Sequence, residues 1–197
     1  MTTFVFAHGA GGHRDDRGML QLTKVLEAQG ISVVRFNFPY REQGSKRPDP
    51  MPVLKASMRE AVGKVRDKPL LLGGRSMGGR VATMLAAEGF ACDGLMLFAY
   101  PLHPPGEPGK LRSEHLARIS VPVLCINGTR DPLCTPGLMN GVVAGLAGWT
   151  MHWLAGADHS FRVLKRSGRS DADVTAEVSE VIAKWVRSYP FLGIQPL

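Results

Sequence analysis

A chain of 197 residues with 44% hydrophobic and 21% charged side chains has the composition of a soluble globular protein. It can bury about 70% of its unfolded surface without help from disulfides or metal. Its 24 Lys and Arg exceed its 17 Asp and Glu, for a formal net charge of +7, but the basic residues are scattered and lack interleaved aromatics, which argues against a nucleic-acid binder.

From the N-terminus, MTTFVFAHGAGG carries neither a basic stretch nor an apolar run of signal-peptide length. No segment approaches membrane-spanning length, so no membrane association and a cytoplasmic location are expected. Apolar runs at Phe4–His8, Ile31–Phe36, Leu70–Gly74, Gly94–Tyr100, Val121–Ile126 and Thr150–Leu154 read as strands, nearly continuously hydrophobic as in parallel sheets covered on both faces. Helical stripes lie between them. Met19, Leu22 and Leu26 share one face, with Gly30 placed to end that helix. Leu54, Met58, Ala61, Val62 and Val65 form the next stripe, and Leu138, Val142 and Leu146 another, opened by Thr135 and Pro136. Val174, Val178, Val181, Ile182 and Trp185 form the last, behind an acidic start at Asp171 and Asp173.

Strands and helices in alternation predict one α/β domain over residues 1–197 with a six-stranded, mostly parallel, doubly wound sheet. Two connections, Asn37–Pro52 and Pro101–Ser120, exceed what packing needs. Both leave from the carboxyl edge of the sheet, where ligands bind in such folds. Cys92, Cys125 and Cys134 match no disulfide framework and no metal-ligand spacing, so reduced thiols are expected. Cys134 falls three residues past Asp131, where a packing role is expected of it.

Gly74-Arg75-Ser76-Met77-Gly78 is a G-x-S-x-G between a strand and a helix, the setting in which that motif exposes a serine nucleophile on a sharp turn. No phosphate-binding G-x-x-x-x-G-K-[ST] occurs, and HGAGGH does not complete G-x-G-x-x-G. A serine needs a base, and the base an orienting acid. Asp131 in CINGTRDPLC follows the fifth strand and His159 in LAGADHSF follows the sixth, so both stand at the edge that carries Ser76. Asp158 is a rival acid, although its adjacency to His159 makes simultaneous hydrogen bonding awkward. Backbone N–H groups of Met77 and of Ala10, with Gly9 as the rival to Ala10, are placed to hold an oxyanion. His8 reads as a brace for that loop.

HGAGG, GGRSMGG, GTRDP and ADHSF, in that order, resemble the α/β-hydrolase superfamily across essentially the whole chain. The absence of a lid segment is similar to its dienelactone-hydrolase-like group. RFNFPY, GGRSMGGR and YPLHPPG are similar to the compact domains of testis-expressed protein 30 and subunit 3 of the non-specific-lethal complex, with their bacterial relatives. The resemblance implies Ser76 as nucleophile, Asp131 as orienting acid and His159 as base. It departs from the pattern in two ways: most members build two antiparallel strands before the point where this chain begins, and dienelactone hydrolases proper use cysteine where this chain has Ser76.

These readings predict a cofactor- and metal-free serine hydrolase acting on a small ester or thioester. Arg35, Asn37, Tyr40, Arg41, Lys46, Arg47 and His103 lie on or near the long connections, a basic rim suited to an anionic substrate. Gly9, Tyr40, Arg41 and His103 are the substrate-contact candidates. A hydrolase-shaped binding or assembly module, engaging a protein partner with little turnover, is the reading of a different class, and acyl transfer to another acceptor is a third.

Overall fold

The computed structural model describes residues 1–192. Six parallel strands stand in the order β2-β1-β3-β4-β5-β6: β1 (Thr3–Ala7), β2 (Ser32–Phe36), β3 (Leu70–Arg75), β4 (Gly94–Phe98), β5 (Val123–Gly128) and β6 (Trp149–Leu154). The helices are α1 (Arg17–Glu27), α2 (Pro39–Glu42), α3 (Met51–Gly63), α4 (Met77–Ala87), α5 (Pro136–Val143) and α6 (Asp171–Arg187). A crossover joins each strand to the next, and winding reverses at β1, with β2 on one side and β3 on the other.

Alternation along each strand sorts the core into two layers. Phe4 and Phe6 of β1 point to the layer of α1 and α6, whose cluster includes Leu22, Leu26, Val178 and Ile182. Val5 and Ala7 point to the layer of α3, α4 and α5, whose cluster includes Met58, Val81, Leu85 and Met139. Phe4, Phe6 and Phe98 pack as a ring cluster with centroids 5.2 to 6.4 Å apart. Removing each such side chain from water contributes about 1.5–3 kcal/mol. Among the described residues no helix is long and apolar enough to cross a membrane.

All six expected strands form, with ends displaced by one or two residues. β3 runs on to Arg75, and β4 stops at Phe98 because Ala99 turns to a φ of 54°. β5 begins at Val123 and runs to Gly128, bringing Asn127 into the sheet. The α1 stripe is buried as expected, and the helix ends around Gly30, whose N–H donates to Glu27 O at 2.9 Å while Ile31 N–H reaches Leu26 O at 3.2 Å. α6 opens with a box the acidic residues only hinted at: Ser170 N–H donates to the Asp173 carboxylate at 2.7 Å, and Asp173 N–H donates to Ser170 Oγ at 3.2 Å. In α5 the fully buried residue is Met139, with Leu138 and Val142 at its flanks and Leu146 beyond the helix end. Thr135 precedes α5 as expected, but its hydroxyl makes no cap hydrogen bond. The connection after β2 also contains the short helix α2, which the Pro- and Arg-rich sequence there obscures.

Candidate active site

One residue, Ser76, separates β3 from α4. Its backbone sits at φ 51° and ψ −116°, a conformation that costs a side-chain-bearing residue about 1–3 kcal/mol. Ser76 N–H donates to Phe98 O at 2.9 Å and Arg80 N–H returns to Ser76 O at 3.1 Å, so β4 and α4 hold the turn from both sides. Glycines make the crossing physically possible: a Cβ at Gly74 or Gly78 would stand 2.6 or 2.5 Å from Ala7 O. The close packing and the exposed hydroxyl are therefore one feature.

Asp131 lies in the turn after β5, its side chain fully buried. Its Oδ1 accepts the Leu133 N–H at 2.8 Å, and its Oδ2 accepts from Asn127 Nδ2 at 3.3 Å and faces His159 Nδ1 at 2.7 Å. An ionised carboxylate can only accept, so the imidazole proton sits on Nδ1 and leaves Nε2 as an acceptor. That Nε2 is 2.9 Å from Ser76 Oγ. The hydroxyl, the imidazole and the carboxylate thus form one continuous hydrogen-bonded line. Asp158, the rival acid, points into its own loop, where its Oδ1 accepts the N–H groups of Ser160 and Arg162 at 2.8 and 3.0 Å.

The His159 loop lies directly on the end of β5. Arg130 N–H donates to Ala157 O at 2.9 Å, and a Cβ on Gly128 would approach that same oxygen to 2.2 Å. Gly128→Ala is expected to lower the unfolding free energy in urea by about 1–3 kcal/mol, the usual cost of overpacking. Gly141→Ala in α5, where a Cβ meets nothing within 4 Å, is expected to raise it by about 0.5–1 kcal/mol. Equal melts for the two variants would contradict the close approach at Gly128.

In the loop after β1, both nitrogens of buried His8 are engaged: Nδ1–H donates to Gly9 O at 2.8 Å, and Nε2 accepts the Phe38 N–H at 3.2 Å. Burial pulls its pKa below the usual imidazole value, so the ring is neutral at neutral pH and braces the loop. Gly9 also accepts the Gly12 N–H at 2.9 Å. Because a trans peptide sets C=O and N–H in opposite directions, anchoring the Gly9 carbonyl turns the Ala10 N–H the other way. Gly9 lies against the nucleophile turn: a Cβ there would stand 3.3 Å from Ser76 Cβ.

The other substrate-contact candidates are engaged within the protein. Tyr40 is buried, its hydroxyl donating to Ala10 O at 2.7 Å, and burial pushes its pKa up to about 12. Arg41 donates from Nη1 to Ser45 O at 3.1 Å, while its buried Nε finds no partner among the described residues. His103 is buried beside the Asp131 turn, with its N–H on Leu133 O at 3.2 Å and its Nδ1 on Pro104 O at 2.9 Å. Arg35 leaves the expected rim, tied to Arg14 O at 2.9 Å and Thr23 Oγ1 at 3.1 Å. Cys134 is fully buried, and burial raises its thiol pKa to about 12, which fits packing and not chemistry. Among the described residues no cluster of His, Cys, Asp and Glu is arranged to hold a metal.

Two contributors escaped sequence reasoning. Asn127 joins Asp131 to the end of β4, its Oδ1 accepting Tyr100 N–H at 3.0 Å and its Nδ2 donating to Tyr100 O at 3.1 Å. A lone amide inside an apolar strand was the available signal. Arg75, one of the variable positions of G-x-S-x-G, donates from Nη2 to His159 O at 3.0 Å, a contact with no signature in the sequence.

A doubly wound parallel sheet with serine on the β3–α4 turn, and acid and imidazole after β5 and β6, defines the class of α/β hydrolases. The chain belongs to the alpha/beta hydrolase domain family, which matches residues 1–187. Solved structures share the fold. An alpha-beta serine hydrolase homologue from Coxiella burnetii is 21% identical, with a TM-score of 0.70 over 93% of this chain and 84% of that one. A dienelactone hydrolase from Anabaena variabilis is 19% identical, with a TM-score of 0.69 over 95% and 86%. A monoacylglycerol lipase from Paleococcus ferrophilus is 17% identical, with a TM-score of 0.70 over 94% of each chain.

Proposed function

We propose that this α/β hydrolase is a serine esterase or thioesterase that cleaves small acyl substrates through Ser76, His159 and Asp131. The observation that carries the reading is the unbroken line from Ser76 Oγ to His159 Nε2 at 2.9 Å and from His159 Nδ1 to Asp131 Oδ2 at 2.7 Å. Ser76 Oγ attacks the acyl carbon as its proton passes to Nε2. The imidazolium is stabilised by Asp131, which remains ionised, and returns the proton to the departing alcohol or thiol. Water then gives its proton to Nε2 and attacks the acyl-Ser76 carbonyl, releasing the acid and restoring the hydroxyl.

The negative oxygen formed in each attack is assigned to the Met77 and Ala10 N–H groups. Met77 is the first residue of α4, so its N–H has no partner within the helix and lies at the positive end of the helix dipole. Such preformed donors contribute about 2.7–4 kcal/mol of transition-state stabilisation each. Three free thiols support a reducing compartment, hence the cytoplasm. Likeness to the testis-expressed protein 30 type of domain, carried by RFNFPY and YPLHPPG, supports placing the chain in that compact subgroup.

Within this reading the substrate carries an anionic group, attracted by the basic residues of the connection after β2, Arg41, Lys46 and Arg47. An ester with a carboxylate on its acyl chain is expected to be cleaved faster than its neutral isostere at low ionic strength, and the advantage to shrink several-fold in high salt. Equal rates for both esters at low salt would remove the anionic preference while leaving the esterase in place.

A further inference from the structure

Behind the catalytic loop, a cavity of about 160 Å³ opens between α1 and α6, on the sheet face opposite α3, α4 and α5. Neither Ser76 nor His159 lines it. Its apolar wall is Leu22, Val174, Val178 and the ring of Phe161, and Arg17 and Arg162 stand exposed in its lining. The remaining arginine of its lining is the half-buried Arg75, whose guanidinium carbon is 5.6 Å from the Phe161 ring centroid. Phe161, two residues past His159, is held at a φ of 63°, rare for an aromatic residue.

The charge balance is one-sided. Three guanidinium groups line the cavity against one carboxylate, Asp171. Among the described residues none of Arg17, Arg75 and Arg162 forms an ion pair. Asp158, Asp16 and Asp131 act on Arg75 from further away, with Asp158 Oδ1 already engaged by Ser160 and Arg162 N–H, Asp16 Oδ2 by the His13 N–H at 2.7 Å and Asp131 Oδ2 by His159. A guanidinium offers five N–H donors, and the one side-chain hydrogen bond of Arg75 within the described residues goes to His159 O. Its Nε and Nη1 form no hydrogen bond among the described residues, and Nη1 lies over Gly18, which also lines the cavity.

We propose that this cavity is a second ligand site, for a small carboxylate with an apolar body, and that its occupant is coupled to the catalytic histidine through Arg75. The carboxylate pairs with Arg75 and with Arg17 or Arg162, bidentate geometry suiting both partners. The body packs on Leu22, Val174, Val178 and Phe161. Size sets the class: an apolar cavity of about 150 Å³ accepts benzene, so an aryl or short branched-chain carboxylate fits and a long acyl chain does not. Arg75 then shares its donors between the ligand and the His159 carbonyl, so occupancy reaches the loop that carries the imidazole.

Calorimetric titration with benzoate, and with benzamide as its neutral counterpart, tests the site without reference to turnover, so failure of the esterase reading leaves it standing. Saturable benzoate binding is expected in wild type and in Ser76→Ala alike, with benzamide at least tenfold weaker. A double Arg17→Gln, Arg162→Gln variant, altered only at exposed positions, is expected to lose at least tenfold in affinity. Val178→Phe, shown by melting to be folded, is expected to bind no benzoate. In wild type, benzoate is expected to shift the ring signals of His159 in NMR spectra. Absence of binding, equal binding of benzamide, or full affinity in the double variant would overturn the site, and binding that leaves the His159 signals unmoved would overturn the coupling.

Discussion

Ser76→Ala is expected to lower the rate of activated-ester hydrolysis by about 10⁶-fold, the scale on which removing a triad nucleophile acts, while the protein stays folded. The substitution deletes one oxygen, and the turn that presents it is held by backbone contacts to Phe98 and Arg80 that alanine keeps. Alanine also keeps the φ of 51° and its cost. Ser76→Gly removes the same oxygen and relieves that cost as well, so it is expected to be equally inactive yet more stable than Ser76→Ala by about 1 kcal/mol. Initial rates beside urea melts of the three proteins separate the effects. Rates within tenfold of wild type for either variant would show that Ser76 is not the nucleophile.

Asp131→Asn is expected to lower kcat by about 10⁴-fold with little change in KM, through the tautomer of His159 and not through the fold. Asparagine is nearly isosteric, and its carbonyl oxygen can keep the Leu133 N–H that Asp131 Oδ1 accepts at 2.8 Å. Its amide then faces His159 Nδ1, a donor where the carboxylate was an acceptor. The ring responds by carrying its proton on Nε2, which is the atom that must accept from Ser76 Oγ. The new amide also meets Asn127 Nδ2, which donates to Asp131 Oδ2 at 3.3 Å, so a modest loss of stability accompanies the change. Asp158→Asn, at the carboxylate that faces its own loop, is expected to leave kcat within about tenfold. A reversal of these two effects would make Asp158 the orienting acid.

Much of this arrangement was legible in the residues because the physics behind it is local. Continuous apolar runs such as Leu70–Gly74 and Val121–Ile126 mark buried parallel strands, since a sheet covered on both faces has no solvent side to alternate with. The order of Ser76, Asp131 and His159 against those strands is enough to place all three at one edge. Boundaries were less legible. β4 stops at Phe98 because Ala99 turns to a positive φ, a conformation imposed by the tertiary setting and unmarked by an alanine. Tyr40 and His103 read as rim residues because they fall on the two long connections. Burial made them braces, through Ala10 O and Pro104 O. Arg75 shows the opposite case: the motif admits any residue there, and its contact with His159 O joins positions 84 apart in sequence, beyond any local signal.

The site as a whole turns on whether His159 activates Ser76. Mass spectrometry after brief exposure to a fluorophosphonate probe measures this directly, on wild type beside His159→Ala. A single rapid adduct on Ser76 that disappears in the variant is the predicted result. A folded wild type that takes no label, or a Ser76 that labels equally fast without His159, would contradict it.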